Sequence, residues 1–170
     1  NTKTVTGLDI SSNAVDLSNS SFDTPGLTYI EGDSENLPFE DNRFDVVLNV
    51  ESSHCYGSIE KFVSEVGRVL KKGGVFLWCD FRTENSMKDL FNLFLSSGFV
   101  IEKEKDITKN IMSALELLTP SRKKQINAHV PKIIKRVFES YAGITGGEVN
   151  NAFVSGNLIY KSAALKIAKH

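Results

Sequence analysis

Residues 44–81, FDVVLNVESSHCYGSIEKFVSEVGRVLKKGGVFLWCDF, decide the fold. Phe44 to Val50 (FDVVLNV) is a nearly continuous apolar run, the pattern of a strand covered on both faces. From Ser58 to Leu70 apolar residues recur at helical spacing, at Ile59, Phe62, Val63, Val66 and Leu70. Lys71-Lys72-Gly73-Gly74 stops that helix, because lysines suit the negative end of its dipole and glycine takes the left-handed cap conformation. Val75 to Phe81 (VFLWCDF) then reads as a second buried strand. Two buried strands joined through a helix form a parallel crossover unit.

The flanking sequence extends this pattern. On the N-terminal side, Val5 to Ile10 (VTGLDI) reads as a strand, Ser11 to Asn13 as capping residues, and Ala14 to Ser18 as a short helix. Pro25-Gly26 marks a turn, Leu27 to Ile30 a strand, and Gly32-Asp33 its end. On the C-terminal side, Ser86 to Ser97 presents Leu90, Phe91, Phe94 and Leu95 on one helix face, and Phe99 to Glu104 follows as a strand. The order βαββαβαβ predicts an α/β fold: a Rossmann-like, mostly parallel sheet with helices on both faces. Residues 109–142 read as helical, broken at Pro120 and strained at Pro131, with Ile126, Val130, Ile133, Val137, Phe138 and Tyr141 tracing one face. Asn157 to Ile167 reads as an antiparallel C-terminal edge strand. The absence of repeats, low-complexity tracts and linkers makes residues 1–170 one domain.

Composition bounds the function. With 170 residues, 41% of them hydrophobic and 24% charged, the chain is an ordinary globular one, able to bury roughly 70% of its unfolded surface in a single core. Twenty basic and twenty-one acidic residues leave a formal charge of −1, which argues against nucleic acid or an anionic membrane as a general partner. No apolar run approaches the ~20 residues of a membrane span. NTKTVTGLDI lacks both an initiator Met and a secretory profile. Cys55 and Cys79 are too few for a disulfide framework and no Cys/His spacing resembles a metal site, so the reading is a cytoplasmic protein with reduced, buried thiols and no metal.

Polar residues gather at predicted strand ends: Asp9, Asp33, Asn49 with Glu51, and Asp80. In an open parallel sheet, ligands bind beyond the carboxyl ends of the strands. A carboxylate there can accept both hydroxyl protons of a ribose, although strand-end Asp and Asn also cap turns.

Four stretches carry a resemblance: GLDIS (Gly7 to Ser11), GDSENLPF (Gly32 to Phe39), FDVVLNVES (Phe44 to Ser52) and VGRVLKKGGVFLWCDF (Val66 to Phe81). Residues 4–106 resemble class I S-adenosylmethionine-dependent methyltransferases, in the branch of ubiquinone/menaquinone and small-molecule methyltransferases. Ser34 stands in place of a usual alanine, and Lys72 in place of a usual proline before the glycine pair. The resemblance implies S-adenosylmethionine as cofactor. Asp9 would hold the ribose hydroxyls, Ile10 would pack on the adenine, and Asp33 would accept from the adenine amino group with Ser34 offering a backbone donor. Asn49 and Val50 would line the methionine side through backbone groups. The family's first strand and glycine-rich loop, expected upstream of Val5 and between the strands of Asp9 and Asn49, are missing. Asn1 therefore reads as the edge of a fragment, and the strand edges left unpaired predict self-association.

His54 and Asp80 are the acid/base candidates, because adjacent parallel strands bring their loops together. The imidazole would take a proton from a hydroxyl nucleophile while the carboxylate orients it, or both would be structural. The basic residues Arg122, Lys123, Lys124, Lys132, Lys135 and Arg136, and His129, read as solvated helix faces. The functional expectation is methyl transfer from S-adenosylmethionine to a small-molecule substrate, with residues 109–142 covering the pocket. A catalytically silent methyltransferase-like module, completed by another polypeptide, is the alternative from a different class.

Overall fold

The computed structural model describes residues 3–131, 133–134 and 146–168. Strands β1 (Val5–Asp9) and β2 (Leu27–Glu31) pair in parallel, joined by helix α1 (Ser12–Ser21). The second sheet holds β3 (Phe44–Val50), β4 (Leu70–Arg82), β5 (Phe99–Asp106) and β6 (Ile159–Ile167), in the spatial order β3-β4-β6-β5. Helix α2 (Ile59–Val69) crosses from β3 to β4 and α3 (Glu84–Ser96) from β4 to β5. Helices α4 (Thr108–His129) and α5 (Glu148–Val154) precede β6. The α/β class holds, with β3 and β4 parallel as the crossover requires.

Alternation along β4 explains the core. Phe76 and Trp78 point to the face covered by α2 and α3, where they meet Phe62, Val63, Val66, Met87, Leu90 and Phe94. Phe94 packs edge-on against Trp78 at 5.8 Å and against Phe76 at 5.9 Å. Each such ring, fully buried, contributes roughly 1.5–3 kcal/mol. On the other face Phe153 of α5 packs against Phe81 at 5.8 Å and Tyr160 at 6.4 Å. Toward β3 that face is open: Val46, Leu48, Val50 and Leu77 are exposed.

Four expectations change. The helix over 58–70 ends at Val69, and the Lys71 to Gly74 segment belongs to β4 as an irregular stretch, where the pairing jumps from Phe44↔Leu70 to Val46↔Val75. Glycine is still required: Gly73 has φ +79°, and a Cβ on Gly74 would lie 2.9 Å from the Lys71 carbonyl oxygen. The last strand is antiparallel but not at the edge. β6 lies between β4 and β5, and β5 is the edge. Helix α4 runs through Pro120 unbroken. Thr119 Oγ1 donates to the Leu115 carbonyl at 2.8 Å and Ser121 Oγ to the Leu118 carbonyl at 2.9 Å, side-chain bonds that flank Pro120 without replacing the N–H that residue 120 would offer to the Glu116 carbonyl. The helix stops instead before Pro131, with Val130 at φ −100°, ψ 125°, the extended geometry a following proline imposes. Ile126 is buried but Ile133 is 91% exposed, which ends the predicted apolar face. Lys132, Lys135, Arg136, Val137, Phe138 and Tyr141 lie outside the described residues.

Among the described strands β1 pairs with β2 alone and β3 with β4 alone, so β1 and β3 each keep one unpaired edge. No helix of the described residues is long and apolar enough to cross a membrane.

Candidate active site

Parallel pairing puts the carboxyl ends of β1 and β2 side by side, and the Gly32 N–H donates to the Asp9 carbonyl at 3.0 Å. Asp9 Oδ1 accepts from the Ser11 N–H at 2.8 Å, and Ser11 Oγ then caps α1 by accepting from the Ala14 N–H. Asp33 Oδ1 accepts from the Glu35 N–H at 2.8 Å. Each exposed carboxylate thus fixes its own turn through one oxygen and retains a second. Ile10, 75% exposed beside Asp9, is an apolar shelf at the same strand end. Ser34 is half-buried in the loop beyond β2.

That loop is clamped to α2. Glu35 Oε1 accepts from the Ser58 N–H at 2.8 Å, and Glu65 Oε2 from the Leu37 N–H at 2.7 Å. Arg68 donates to the carbonyls of Leu37 and Phe39, at 3.0 and 2.7 Å, and pairs with Glu65 at 2.6 Å. The Arg68 guanidinium is the main cause that holds the Glu65 carboxyl below its ordinary range, and Glu65 in turn raises Arg68. The Leu37-Pro38-Phe39 stretch is therefore the docked arm that joins the β2 loop to the second sheet.

At the ends of β3 and β4 the register Val50↔Cys79 places residues 53 and 54 beside Asp80. His54 and Asp80 do meet: His54 Nδ1 lies 2.8 Å from Asp80 Oδ1. The carboxylate is fully buried, whereas the His54 side chain is 28% exposed. Asp80 Oδ1 also accepts from the Phe81 N–H at 2.8 Å, and Oδ2 from the Ser53 hydroxyl at 2.7 Å and the His54 N–H at 3.0 Å. Arg82 Nη1 stands 3.6 Å from Oδ2. Burial is the main cause that pushes the Arg82 guanidinium down from its ordinary value, against the opposing charge of Asp80. The imidazole packs against Phe81 with ring centroids 4.4 Å apart and the planes tilted by 40°.

Asn49 is buried, and its side chain turns into the protein, where Nδ2 donates to Ser52 Oγ at 2.9 Å and to the Tyr56 hydroxyl at 2.8 Å. Val50 is exposed. Neither thiol is fully buried as expected: Cys79 is half-buried, and Cys55 is exposed, at the end of the short 3-10 turn Ser53–Cys55. Burial raises the Cys79 thiol and, together with the charge of Glu51, the Tyr160 phenol. Among the described residues no three His, Cys, Asp or Glu side chains gather as a metal site. Ser53, Tyr56 and Arg82 were not singled out by the sequence. Their signal was adjacency, since Ser53 precedes His54 and Arg82 follows Phe81 at the end of β4.

Residues 1–78 match the family model described as "Methyltransferase domain". The probable phthiotriol/phenolphthiotriol dimycocerosates methyltransferase 2 of Mycobacterium ulcerans (strain Agy99) is 33% identical over 141 residues, covering 83% of this chain and 55% of that protein. The fatty-acid O-methyltransferase of Mycolicibacterium smegmatis is 30% identical over 138 residues, covering 81% and 50%. The chain thus spans about half the length of the curated relatives it matches. Among solved structures, the O-methyltransferase of a trans-AT PKS multienzyme of Brevibacillus brevis, in complex with S-adenosyl-L-homocysteine, superposes with a TM-score of 0.74. That match covers 97% of this chain and 59% of that one at 19% identity, a likeness of fold. Together with the strand-end motifs, these likenesses identify a methyltransferase domain in residues 1–78 and relatives of most of the chain that are methyltransferases, with the α/β fold of the solved O-methyltransferase.

Proposed function

We propose that the protein transfers a methyl group from S-adenosylmethionine to a hydroxyl oxygen of a small-molecule acceptor, with His54 as the general base. The observation that supports it is the His54–Asp80 pair, a partly exposed imidazole held at 2.8 Å by a fully buried carboxylate.

The residues fit the adenosine half of the cofactor. Asp9 and Asp33 each retain one carboxylate oxygen for a hydroxyl or amino donor, and Ile10 offers an exposed apolar surface next to Asp9. S-adenosylmethionine, when bound, supplies an electrophilic methyl on a sulfonium. The chain's own residues position the acceptor and handle its proton. Besides the ring contact, Asp80 accepts three hydrogen bonds, from the Ser53 hydroxyl and from the His54 and Phe81 N–H groups, and lies beside Arg82, so it meets the ring as an acceptor. Nδ1 therefore carries the ring proton and Nε2 presents its lone pair. As the acceptor oxygen attacks, Nε2 takes the hydroxyl proton, and the imidazolium that forms is stabilised by Asp80. Alignment and exclusion of water supply the rest of the acceleration.

Helix α4, the described part of the segment 109–142, is proposed as part of the cover over the acceptor, residues 132 and 135–142 lying outside the described residues. Its start is anchored to β6, since the Ile107 N–H donates to the Tyr160 carbonyl at 2.9 Å and Thr108 Oγ1 accepts from the Tyr160 N–H at 2.8 Å.

An acceptor that arrives ionised, such as a carboxylate, needs no base; a hydroxyl does. His54→Asn is therefore expected to lower the methyl-transfer rate on a phenolic hydroxyl by about 10²- to 10⁴-fold while cofactor binding holds, with the loss shrinking as pH rises and the phenol ionises unaided. A variant within about threefold of wild type between about pH 6 and pH 9 overturns the role.

A further inference from the structure

We propose that Ser53 is the positioning residue of the His54–Asp80 pair, a hydroxyl whose proton direction is locked by Trp78 and Arg82 so that Asp80 is held in one orientation. The inference rests on the base reading above and adds to it the group that makes the dyad rigid.

A serine hydroxyl has one proton and two lone pairs. Trp78 Nε1 and Arg82 Nη2 each approach Ser53 Oγ at 3.0 Å, and an indole N–H and a guanidinium can only donate. Both lone pairs are then occupied. The single proton has one acceptor in reach, Asp80 Oδ2 at 2.7 Å. An unconstrained hydroxyl rotates among partners, but this one cannot, so its bond to Asp80 is directional.

The consequence falls on the carboxylate. Oδ2 is pinned by Ser53 and by the His54 N–H, and Oδ1 by the Phe81 N–H, before the imidazole is considered. The remaining direction on Oδ1 is where Nδ1 sits. Ser53, Trp78 and Asp80 are all buried, so no water competes for these bonds, and in such surroundings a satisfied network is rigid and a broken one costly. The same three-residue turn thus supplies both the base and the group that orients the base's partner.

The test is a double-mutant cycle with kcat and KM measured separately. Ser53→Ala is expected to lower kcat on the order of 10- to 100-fold, as for other groups that orient a reacting side chain, with KM and cofactor affinity near wild type. Ser53→Thr, which keeps the hydroxyl, recovers most of the rate. In a His54→Gln background Ser53→Ala costs nothing further, because it acts through His54. Its loss also shrinks at high pH, as that of His54 does. If Ser53→Ala does not fold, Trp78→Phe, which frees one Ser53 lone pair, gives a smaller loss with the same background dependence. Ser53→Ala at the wild-type kcat, or an equal loss in both backgrounds, overturns the inference. A collapse in His54→Gln with Ser53→Ala unaffected removes only the positioning role. A wild-type rate in His54→Gln removes the base reading and this one with it.

Discussion

Cys55 and Cys79 flank the dyad and differ in chemistry. The thiolate is the nucleophile of alkylation, and a thiol raised above its ordinary value holds less thiolate at any pH below it. Cys79 is raised first by its burial and further by the charges of Asp80 and Glu51, with Tyr160 opposing. Cys55 is exposed at the end of its turn. Iodoacetamide at about pH 8 should modify Cys55 well before Cys79, with the gap narrowing as pH rises, as peptide mass mapping would show. Equal rates would mean that Cys79 is not shielded as described. At this scale the sequence was readable where register decides. Parallel pairing of β3 with β4 sufficed to bring His54 to Asp80. It was silent where rotamers decide: that Asn49 turns inward to Ser52 and Tyr56, that Cys55 faces solvent, and that Ser53 bridges Trp78 and Arg82 depend on side-chain packing that spacing does not encode.

Helix α2 does more than cross between strands. One of its faces closes the core through Phe62, Val63 and Val66, while Glu65 and Arg68 grip the loop that follows β2. Because the Glu65 carboxyl is held below its unfolded value, its contribution to stability is present above the usual carboxylate range and is lost as pH falls through the folded value. Glu65→Gln should therefore destabilise by roughly 1 kcal/mol at neutral pH, and the difference from wild type should fade as the pH is taken below the ordinary carboxylate range and the folded carboxyl is protonated. Urea unfolding at neutral and at acid pH measures it, and a difference that persists in acid would rule out the ionised pair as its source. Element types and most boundaries followed from periodicity, as for α2, whose start beside Ser58 and apolar spacing both stand. Periodicity does not say which strands are neighbours. Nothing in the alternation of β6 distinguishes an edge from a place between β4 and β5. Nor does a local rule about proline foresee that α4 continues through Pro120.

For the whole molecule the two sheets pose a problem of solubility. β1 and β3 each present one strand edge without a partner among the described strands, and an unpaired edge offers N–H and C=O groups to any other extended chain. Beside the β3 edge, Val46, Leu48, Val50 and Leu77 form an uncovered apolar surface, with Leu48 67% exposed. The formal charge of −1 supplies little repulsion to keep copies apart. An open edge and an apolar face combine a directional with a non-directional attraction, so the 170-residue chain should self-associate in proportion to its concentration. Leu48→Glu separates the two causes. It places a charge on the exposed face without touching the core, so the folded stability should change by no more than about 0.5 kcal/mol while the association weakens. Sedimentation velocity over a concentration series reads the outcome. A monomer at every concentration would show that the β3 edge and its apolar face are covered within the chain itself. Association unchanged by Leu48→Glu would instead place the contact at the strand edges alone.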